Sequence, residues 1–332
     1  MREGWNTSRH NGSCRMVTHG SVLTSSHDPT PTRAESLCPL HRTLVPGLVV
    51  VAFALVLNSA PALAAKARHG RVVNFLANCR PSHFAPDDPI VFAGEPGRSH
   101  DHAFFGNKTT EASSTLGTLR RGGTTCDRKS DTAAYWVTTL FRDGHRMRPS
   151  GAIAYYTLRQ FTHTHPYPAG LKMIAGDAHS KAPQSLKVTW WNCGPGGGVP
   201  ASSEPPARCP GGHLARLGDK GQRLQRGNVA RGSSLELHVR FPDCWNGRSL
   251  DSPNHHDHVA YSKGGVCPSS HPVSLPSLIL IVIYPLRGGR GVELASGGVH
   301  SAHADFFNSW KQPALRRIVS RCSAGRPRCA RR

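Results

Sequence analysis

The segment 278–284 reads LILIVIY and contains no polar residue. β-Branched and aromatic residues favour strands, and a short apolar run bounded by turn signals is typical of a strand with both faces buried. We therefore expect this segment to form a central strand of a sheet, covered on both faces.

Further runs of similar composition predict more strands, because each is short and bounded by Gly, Pro, Asn or Asp. These runs are 71–79, 134–141, 152–158, 186–191 and 235–241. A helical pattern is visible over 304–320, interrupted by Pro313. Many short strands with little helix predict a mainly β fold: a single β-sandwich-like domain with long Gly/Pro-rich loops and a short C-terminal helix.

The segment 44–64 indicates export. Its uninterrupted apolar core, 47–57, is shorter than the ~20 residues that a membrane span needs, and it ends in the small-residue pattern Ala62-Leu63-Ala64. Such a segment is typical of a secretory signal peptide; an N-terminal membrane anchor is the alternative. We expect a leader over 1–64, one β-rich domain over 70–322, a basic tail over 323–332, and a secreted mature chain without a membrane span.

Cysteine parity supports this division, since two of the ten cysteines precede the expected cleavage point and eight follow it. An even number in an exported chain predicts disulfides, with the pairing left open. No CxxC pair is present, which argues against a thiolate metal site. The eight cysteines are Cys79, Cys126, Cys193, Cys209, Cys244, Cys267, Cys322 and Cys329.

The chain is strongly basic, with 41 Lys and Arg against 20 Asp and Glu and a formal charge of +21. Removing the five arginines and three acidic residues of the leader leaves +19. This charge favours anionic partners such as wall polymers or acidic polysaccharide. No RNA-binding aromatic motif or helix-turn-helix pattern accompanies it, so the sequence argues against nucleic acid.

Histidine and aspartate recur together in three places: His100-Asp101-His102, the segment 251–258, and the segment 300–305. In an extended chain His100 and His102 point to one face; in a helical turn His300 and His303 would share one. We expect the three clusters to converge in one cleft. They could ligate a divalent metal ion, or act as acid, base and orienting carboxylate without one.

The candidate residues follow from these clusters. Those for catalysis are His102, Asp251, His258, His303 and Asp305, and those for a metal are His102, His258 and His303. Candidate substrate-binding residues are His100, Trp245 and Tyr261. Trp245 could stack on a sugar ring, or it could simply cover a disulfide of Cys244. No nucleophile elbow, HExxH, Walker A or GxGxxG motif is present.

Several blocks of the sequence resemble a secreted family of fungi and actinobacteria that is classified only as a domain of unknown function. The blocks are His100-x-His102, Tyr135-Trp136, Phe241 to Gly247 (FPDCWNG), Leu250 to Ser252, His258 to Tyr261 (HVAY), and His303-x-Asp305. The resemblance covers about 74–310. It implies secretion and frequent fusion to wall- or sugar-binding modules, but no established activity. Many members have Asp at position 246, so Asn246 is a poor catalytic candidate.

The functional hypothesis is a secreted domain that acts on or binds an extracellular polysaccharide through a His/Asp cleft, with hydrolase-type chemistry if it is an enzyme. Two alternatives remain. One is a non-enzymatic envelope protein that adheres to anionic wall polymer through its charge, and the other is a His-ligated metal-binding protein.

Overall fold

The computed structural model describes residues 71–160, 162–194, 199–210, 234–326 and 329. The leader, the signal peptide and half of the basic tail lie outside these residues, so those interpretations stay predictions. Within the described part of the chain, no helix combines the length and apolar character that crossing a bilayer requires.

The described residues contain sixteen strands, two α-helices and one 3-10 turn. In chain order they are β1 (Val72–Cys79), β2 (Pro81–Ala85), β3 (His102–Gly106), α1 (Leu116–Arg121), β4 (Ala134–Thr138), β5 (Leu140–Arg142), β6 (His145–Arg146), β7 (Gly151–Arg159), β8 (Lys172–Gly176), β9 (Thr189–Cys193), β10 (Leu235–Arg240), β11 (Cys244–Trp245), β12 (Val259–Ala260), β13 (Val273–Ser274), β14 (Ser277–Tyr284), β15 (Val292–Leu294), a 3-10 turn (Val299–Ser301), β16 (His303–Phe307) and α2 (Gln312–Ser323).

Two five-stranded antiparallel sheets dominate the fold, which confirms the mainly β prediction. Sheet A has the order β1-β7-β14-β10-β9, and sheet B has the order β2-β3-β4-β16-β8. Two three-stranded sheets, β12-β11-β13 and β15-β5-β6, flank them. The apolar run 278–284 falls in β14, the middle strand of sheet A, as expected. The expectation that both of its faces are covered is wrong, because Ile279 and Ile281 are only half-buried.

The inner faces of the two sheets share one core. Phe75 and Tyr156 of sheet A stack with ring centroids 4.6 Å apart, and the hydroxyl of Tyr156 is hydrogen-bonded to that of Tyr135 in sheet B. Tyr135 also donates to Asp131 Oδ2 at 2.8 Å, and Trp310 Nε1 donates to the Tyr156 hydroxyl at 3.0 Å. Each polar atom in this buried network therefore has a partner, as burial demands.

All eight cysteines of the expected mature chain are paired, which confirms the disulfide prediction. Each bond of this kind typically stabilises a fold by ~2–4 kcal/mol through its effect on the unfolded chain. The pairs are Cys79–Cys126, Cys193–Cys209, Cys244–Cys267 and Cys322–Cys329.

The helix expected over 304–320 is present only in its second half. Helix α2 begins at Gln312 with Pro313 in its first turn, a position where the missing proline N–H costs nothing. The first half of the predicted helix is strand β16, because β4 and β8 pair with it on both sides. Backbone pairing with two neighbours outweighs a weak local helical pattern.

Two predicted strands also have different limits. The run 134–141 divides into β4 and β5, which belong to different sheets. The run 186–191 begins as a turn closed by the Val188 N–H bond to Ser185 O, and strand β9 starts only at Thr189. Leu186, which the pattern placed in the strand, is 47% exposed.

Candidate functional site

The outer face of sheet B brings two of the histidine clusters together. Strand β4 lies between β3 and β16. His102 of β3 is opposite Thr138 of β4. Because Ala304 of β16 pairs with Val137, His303 is adjacent to Thr138 from the other side. The small Thr138 side chain leaves room above it for both imidazoles. Their Nε2 atoms are 3.5 Å apart, and both residues are buried.

His100 completes a cluster of three imidazoles. It precedes β3 by two residues and shares the face of His102, as alternation in an extended chain predicts. Its Nε2 is 3.1 Å from that of His303, and its ring centroid is 4.3 Å from that of His102. The ligand atoms of all three lie within 4.8 Å of one another. We call His100, His102 and His303 the three-histidine cluster.

The tautomers of the two buried histidines follow from their hydrogen bonds. His102 Nδ1 is 3.0 Å from Asp87 O, and His303 Nδ1 is 2.9 Å from Ser301 O. A carbonyl oxygen only accepts, so Nδ1 carries the proton in both rings and Nε2 keeps its lone pair. Metal-bound imidazoles typically donate their other N–H in this way.

Burial keeps the cluster neutral. It holds the pKa of His102 well below its usual range, with the neighbouring His100 and His303 adding to the effect. It lowers the pKa of His303 to about 4. The pKa of His100 is also lowered, first by burial and then by His179. At neutral pH the lone pairs are therefore available to a ligand.

Two buried carboxyl groups adjoin the cluster. Asp305 is on the same face of β16 as His303 and is 1% exposed, yet neither of its oxygens has a hydrogen-bond partner among the described residues. Asp88 is 4% exposed, and its Oδ1 accepts the N–H groups of Ile90 and Val91. Ligand atoms of Asp88, His102 and Asp305 lie within 4.8 Å of one another.

The pKa of Asp305 reflects this isolation. Burial raises its pKa well above the usual range, and the nearby Asp88 raises it further. Burial also raises the pKa of Asp88 itself. A buried carboxyl without a partner is costly, so a proton or a cation is required beside Asp305.

A cleft of about 550 Å³ opens onto Asp88, Asp305 and two members of the three-histidine cluster, His100 and His303. Its walls are residues 88–100, the segment 174–179 at the end of β8, and the loop residues 254–256. A second recess of about 290 Å³ adjoins it, shares Ile174, Gly176, Asp177 and His256 with its wall, and includes Tyr261. The two recesses therefore share a wall, and we refer to them together as the groove.

His258 does not reach the three-histidine cluster, so the prediction that it meets His102 and His303 is wrong. His258 Nε2 donates to Lys172 O at 2.6 Å, and its Nδ1 is 3.0 Å from Ser252 Oγ. Both ring nitrogens are thus occupied, and the residue anchors the loop 246–258 to β8. His100, expected only to bind substrate, takes the place expected for His258.

Asp251 also lies apart from the three-histidine cluster. Its Oδ1 is 2.8 Å from His255 Nδ1, and its Oδ2 is 3.3 Å from Lys172 Nζ. Partial burial acts to raise the pKa of Asp251, but the hydrogen bonds from His255 and the Ser252 N–H, helped by the nearby Lys172 charge, outweigh it and the pKa is lowered. His255, in turn, lines the main cleft.

The two aromatic candidates have mainly structural contacts. Trp245 Nε1 donates to Ser249 O at 2.6 Å, and its ring packs against the core beside the Cys244 disulfide; it lines neither recess of the groove. The Tyr261 hydroxyl donates to Arg240 O at 2.8 Å, while its ring lines the second recess. A sugar-binding role for Tyr261 stays a prediction.

Sequence reasoning missed two positions that shape the site, Asp88 and Gly176, and it placed His255 in the cluster 251–258 without selecting it as a candidate. Asp88 lies in an ordinary-looking turn segment, PDDP, and nothing local distinguishes it. Gly176 pairs with His303 at φ +85°, and a Cβ there would be 2.8 Å from His303 Cα. Its role could have been found only by knowing that β8 and β16 are neighbours.

Fold and site together define a disulfide-bonded protein of two antiparallel sheets with a histidine-rich cleft on one outer face. The family model of a domain of unknown function, DUF1996, matches residues 88–310, and the chain belongs to this family. The matched region contains the entire three-histidine cluster together with Asp88 and Asp305. Comparisons with curated proteins and with solved structures returned no match.

Proposed function

We propose that this protein is secreted, that His100, His102 and His303 bind one divalent transition-metal ion, and that the cleft above the ion acts on an extracellular polysaccharide. The observation that carries the proposal is the convergence of three Nε2 atoms, two of them on rings whose Nδ1 protons are held by backbone carbonyls.

The donor set indicates the kind of ion. Imidazole nitrogen suits zinc, copper, iron and nickel, whereas magnesium and calcium prefer oxygen. Zinc–nitrogen bonds of ~2.0–2.1 Å place the donors of a tetrahedral site ~3.3 Å apart. The Nε2 atom of His303 is 3.1 Å from that of His100 and 3.5 Å from that of His102, so only small side-chain movements are needed.

Asp305 supports the same conclusion. Its ligand atom lies within 4.8 Å of that of His102, so the positive charge of a cation at the three-histidine cluster would reduce the cost of burying this isolated carboxyl. His100 is half-buried and lines the cleft, so the ion would face the cleft on that side. An open position of this kind distinguishes catalytic from structural sites, and a bound ion would supply Lewis-acid polarisation or an activated water there.

Several features support an extracellular polysaccharide as the partner. Disulfides are typical of exported proteins, four are formed here, and the chain carries an excess of basic residues. The groove has two recesses with a common wall, a shape that suits an extended polymer better than a small molecule. Adhesion through charge alone would need no groove and would disappear at high salt, because exposed charges are screened within about 8–10 Å near physiological ionic strength.

A metal-free alternative has one observation in its favour. Burial and the nearby Asp88 raise the pKa of Asp305, and a pair of carboxyl groups, one acting as acid and the other as base, is the usual arrangement for hydrolysis of a glycosidic bond. The two functions differ in whether chelators abolish activity.

Metal analysis of the mature protein tests the central claim. The chain is stripped with a chelator, reloaded separately with zinc and copper, and analysed for metal per chain beside the variants His102→Ala and His303→Ala. His145→Ala is the matched control, since His145 is exposed on β6. We expect one ion per chain in the wild type and the control, and a loss of at least tenfold in affinity in the two cluster variants.

Retention of full metal content by folded His303→Ala would refute the metal site. The polysaccharide part is tested by measuring binding and release of reducing ends on wall glycans, with and without metal and over a salt series. Absence of both binding and cleavage across the panel would refute that part alone.

A further inference from the structure

We propose that His255, oriented by Asp251, is the proton-transfer residue of the cleft, working on a hydrolysable acetal or ester bond of the polymer that lies there. This inference rests on the proposed function for the substrate class, but not on the metal, because His255 belongs to none of the groups of converging ligand atoms among the described residues.

The first support is the geometry of the pair. Asp251 Oδ1 lies 2.8 Å from His255 Nδ1. A carboxylate accepts, so the Nδ1 proton is directed at it, and the Nε2 lone pair is left to the other side of the ring. Among the residues that the structure describes, Nε2 has no hydrogen-bond partner, and His255 is a wall residue of the main cleft.

The second support is the set of groups that hold Asp251. The backbone N–H of Ser252 donates to Asp251 Oδ1 at 2.8 Å, and Lys172 Nζ is 3.3 Å from Oδ2. Lys172 itself lies on sheet B, with its ammonium 5.4 Å from the ring centre of Phe307. A chain of contacts therefore runs from the sheet through Lys172 and Asp251 to the imidazole in the cleft.

The third support is the backbone of the loop. His255 has φ +59°, and among the described residues Asp143 is the other non-glycine residue with positive φ. The positive φ of Asp143 is explained by the tight Asp-Gly turn between β5 and β6. The conformation of His255 is instead held by two contacts of its loop: its own N–H donates to Ser252 O at 2.8 Å, and His258 donates to Lys172 O. Residues kept in such sparsely populated conformations cluster at functional sites.

These features define an acid–base residue. A carboxylate that fixes the tautomer of an imidazole leaves its Nε2 ready to accept a proton. His255 Nε2 takes a proton from water while the water oxygen bonds to the reacting carbon. The bond from that carbon to the leaving oxygen then breaks, and the proton passes to the leaving oxygen. Water is the only co-reactant.

Because the natural polymer is not identified, the test uses 4-nitrophenyl acetate as the probe. Its hydrolysis is measured on the full mature chain for the wild type, His255→Ala, His255→Gln and Asp251→Asn, with His145→Ala as the control for surface histidines. After subtraction of the rate of free imidazole, we expect the rate of both His255 variants to fall at least ~10²-fold, the lower limit of the ~10²–10⁴-fold range of general acid–base catalysis. Metal content should remain at the wild-type level in both.

A second readout separates positioning from a merely structural role. Nitrogen-15 NMR of histidine-labelled protein should find His255 with its proton on Nδ1 in the wild type and a changed tautomer balance in Asp251→Asn, with unchanged folding. The proposal is overturned if His255 carries its proton on Nε2 in the wild type, or if the wild type hydrolyses the probe no faster than His255→Ala.

The two proposals fail separately. If metal analysis finds no ion, the probe and NMR comparisons are made on the metal-free protein and still decide the role of His255. If His255→Ala loses its metal, His255 is a ligand and not a proton-transfer residue, which contradicts this inference while supporting a metal centre.

Discussion

The Nε2 atoms of His102 and His303 lie 3.5 Å apart although 201 positions separate the two residues in the chain. Each ring donates its Nδ1 proton to a backbone carbonyl, so both lone pairs are directed into the same space. Two acceptors at this distance repel each other unless a proton or a cation lies between them. The outer face of sheet B therefore presents two converging lone pairs, which is the basis of the proposed metal site.

Replacing Gly176 with alanine should disturb His303. The position has φ +85°, and the new Cβ would lie 2.8 Å from His303 Cα. Gly144→Ala is the matched control, because Gly144 has φ +75° with open space around it. We expect the control to lower the free energy of unfolding by about 1–2 kcal/mol, which is the strain of the backbone conformation alone. Gly176→Ala should lower it clearly more and should also weaken metal binding. Equal effects in denaturant unfolding would show that β8 tolerates the added methyl group.

Replacing His258 with alanine should loosen the loop 246–258 without removing metal. The imidazole bridges Lys172 O and Ser252 Oγ, and losing a buried hydrogen-bonding group of this kind costs about 1–3 kcal/mol. Denaturant unfolding should record the loss, and limited proteolysis should find new cleavage in the loop, while metal per chain stays at the wild-type value. A metal content below half of the wild type would instead make His258 part of the metal centre.

Asp131 should make the protein less stable as the pH rises. Burial raises the pKa of Asp131 to about 8, whereas an unfolded aspartate has a pKa near 3.9. The folded state therefore binds the proton more tightly, so this group's contribution to stability is fully present below about pH 4 and is lost as the pH rises towards about 8. Asp131→Asn keeps an oxygen for the Ala133 N–H, and it should reduce the fall in unfolding free energy between pH 4 and pH 8. An unchanged slope would mean that Asp131 is ionised in the folded protein.

The exported chain should begin near Ala65 and contain no free thiol. The expected cleavage follows Ala62-Leu63-Ala64, and all eight later cysteines are paired in the structure. Intact mass and alkylation of the secreted form without reductant measure both properties together. Recovery with the leader attached, or labelling of two or more cysteines, would contradict the prediction.

Much of sheet A could be predicted from the sequence. Strands β1, β7, β10 and β14 are long runs of β-branched and aromatic residues, and their composition identifies them without any knowledge of neighbours. Sheet B was different, because the strands that carry the site, β3, β8 and β16, are five residues each. In β16 the local pattern even favoured a helical turn pairing His300 with His303. The strand instead places His303 and Asp305 on one face, while His300 Nε2 is 2.9 Å from Glu204 Oε1.

Residue types alone determined that this chain is β-rich, that its cysteines pair, and that imidazoles and carboxylates recur in clusters able to share a cleft. Tertiary structure decided which of them meet. The sequence favoured His258 as a ligand and His100 only as a substrate-binding residue, but His258 is hydrogen-bonded to Lys172 O, whereas His100 lies two residues before β3, beside His102. A side chain's role here depends on which backbone group lies within hydrogen-bond distance, and that is set by the pairing of strands far apart in the chain.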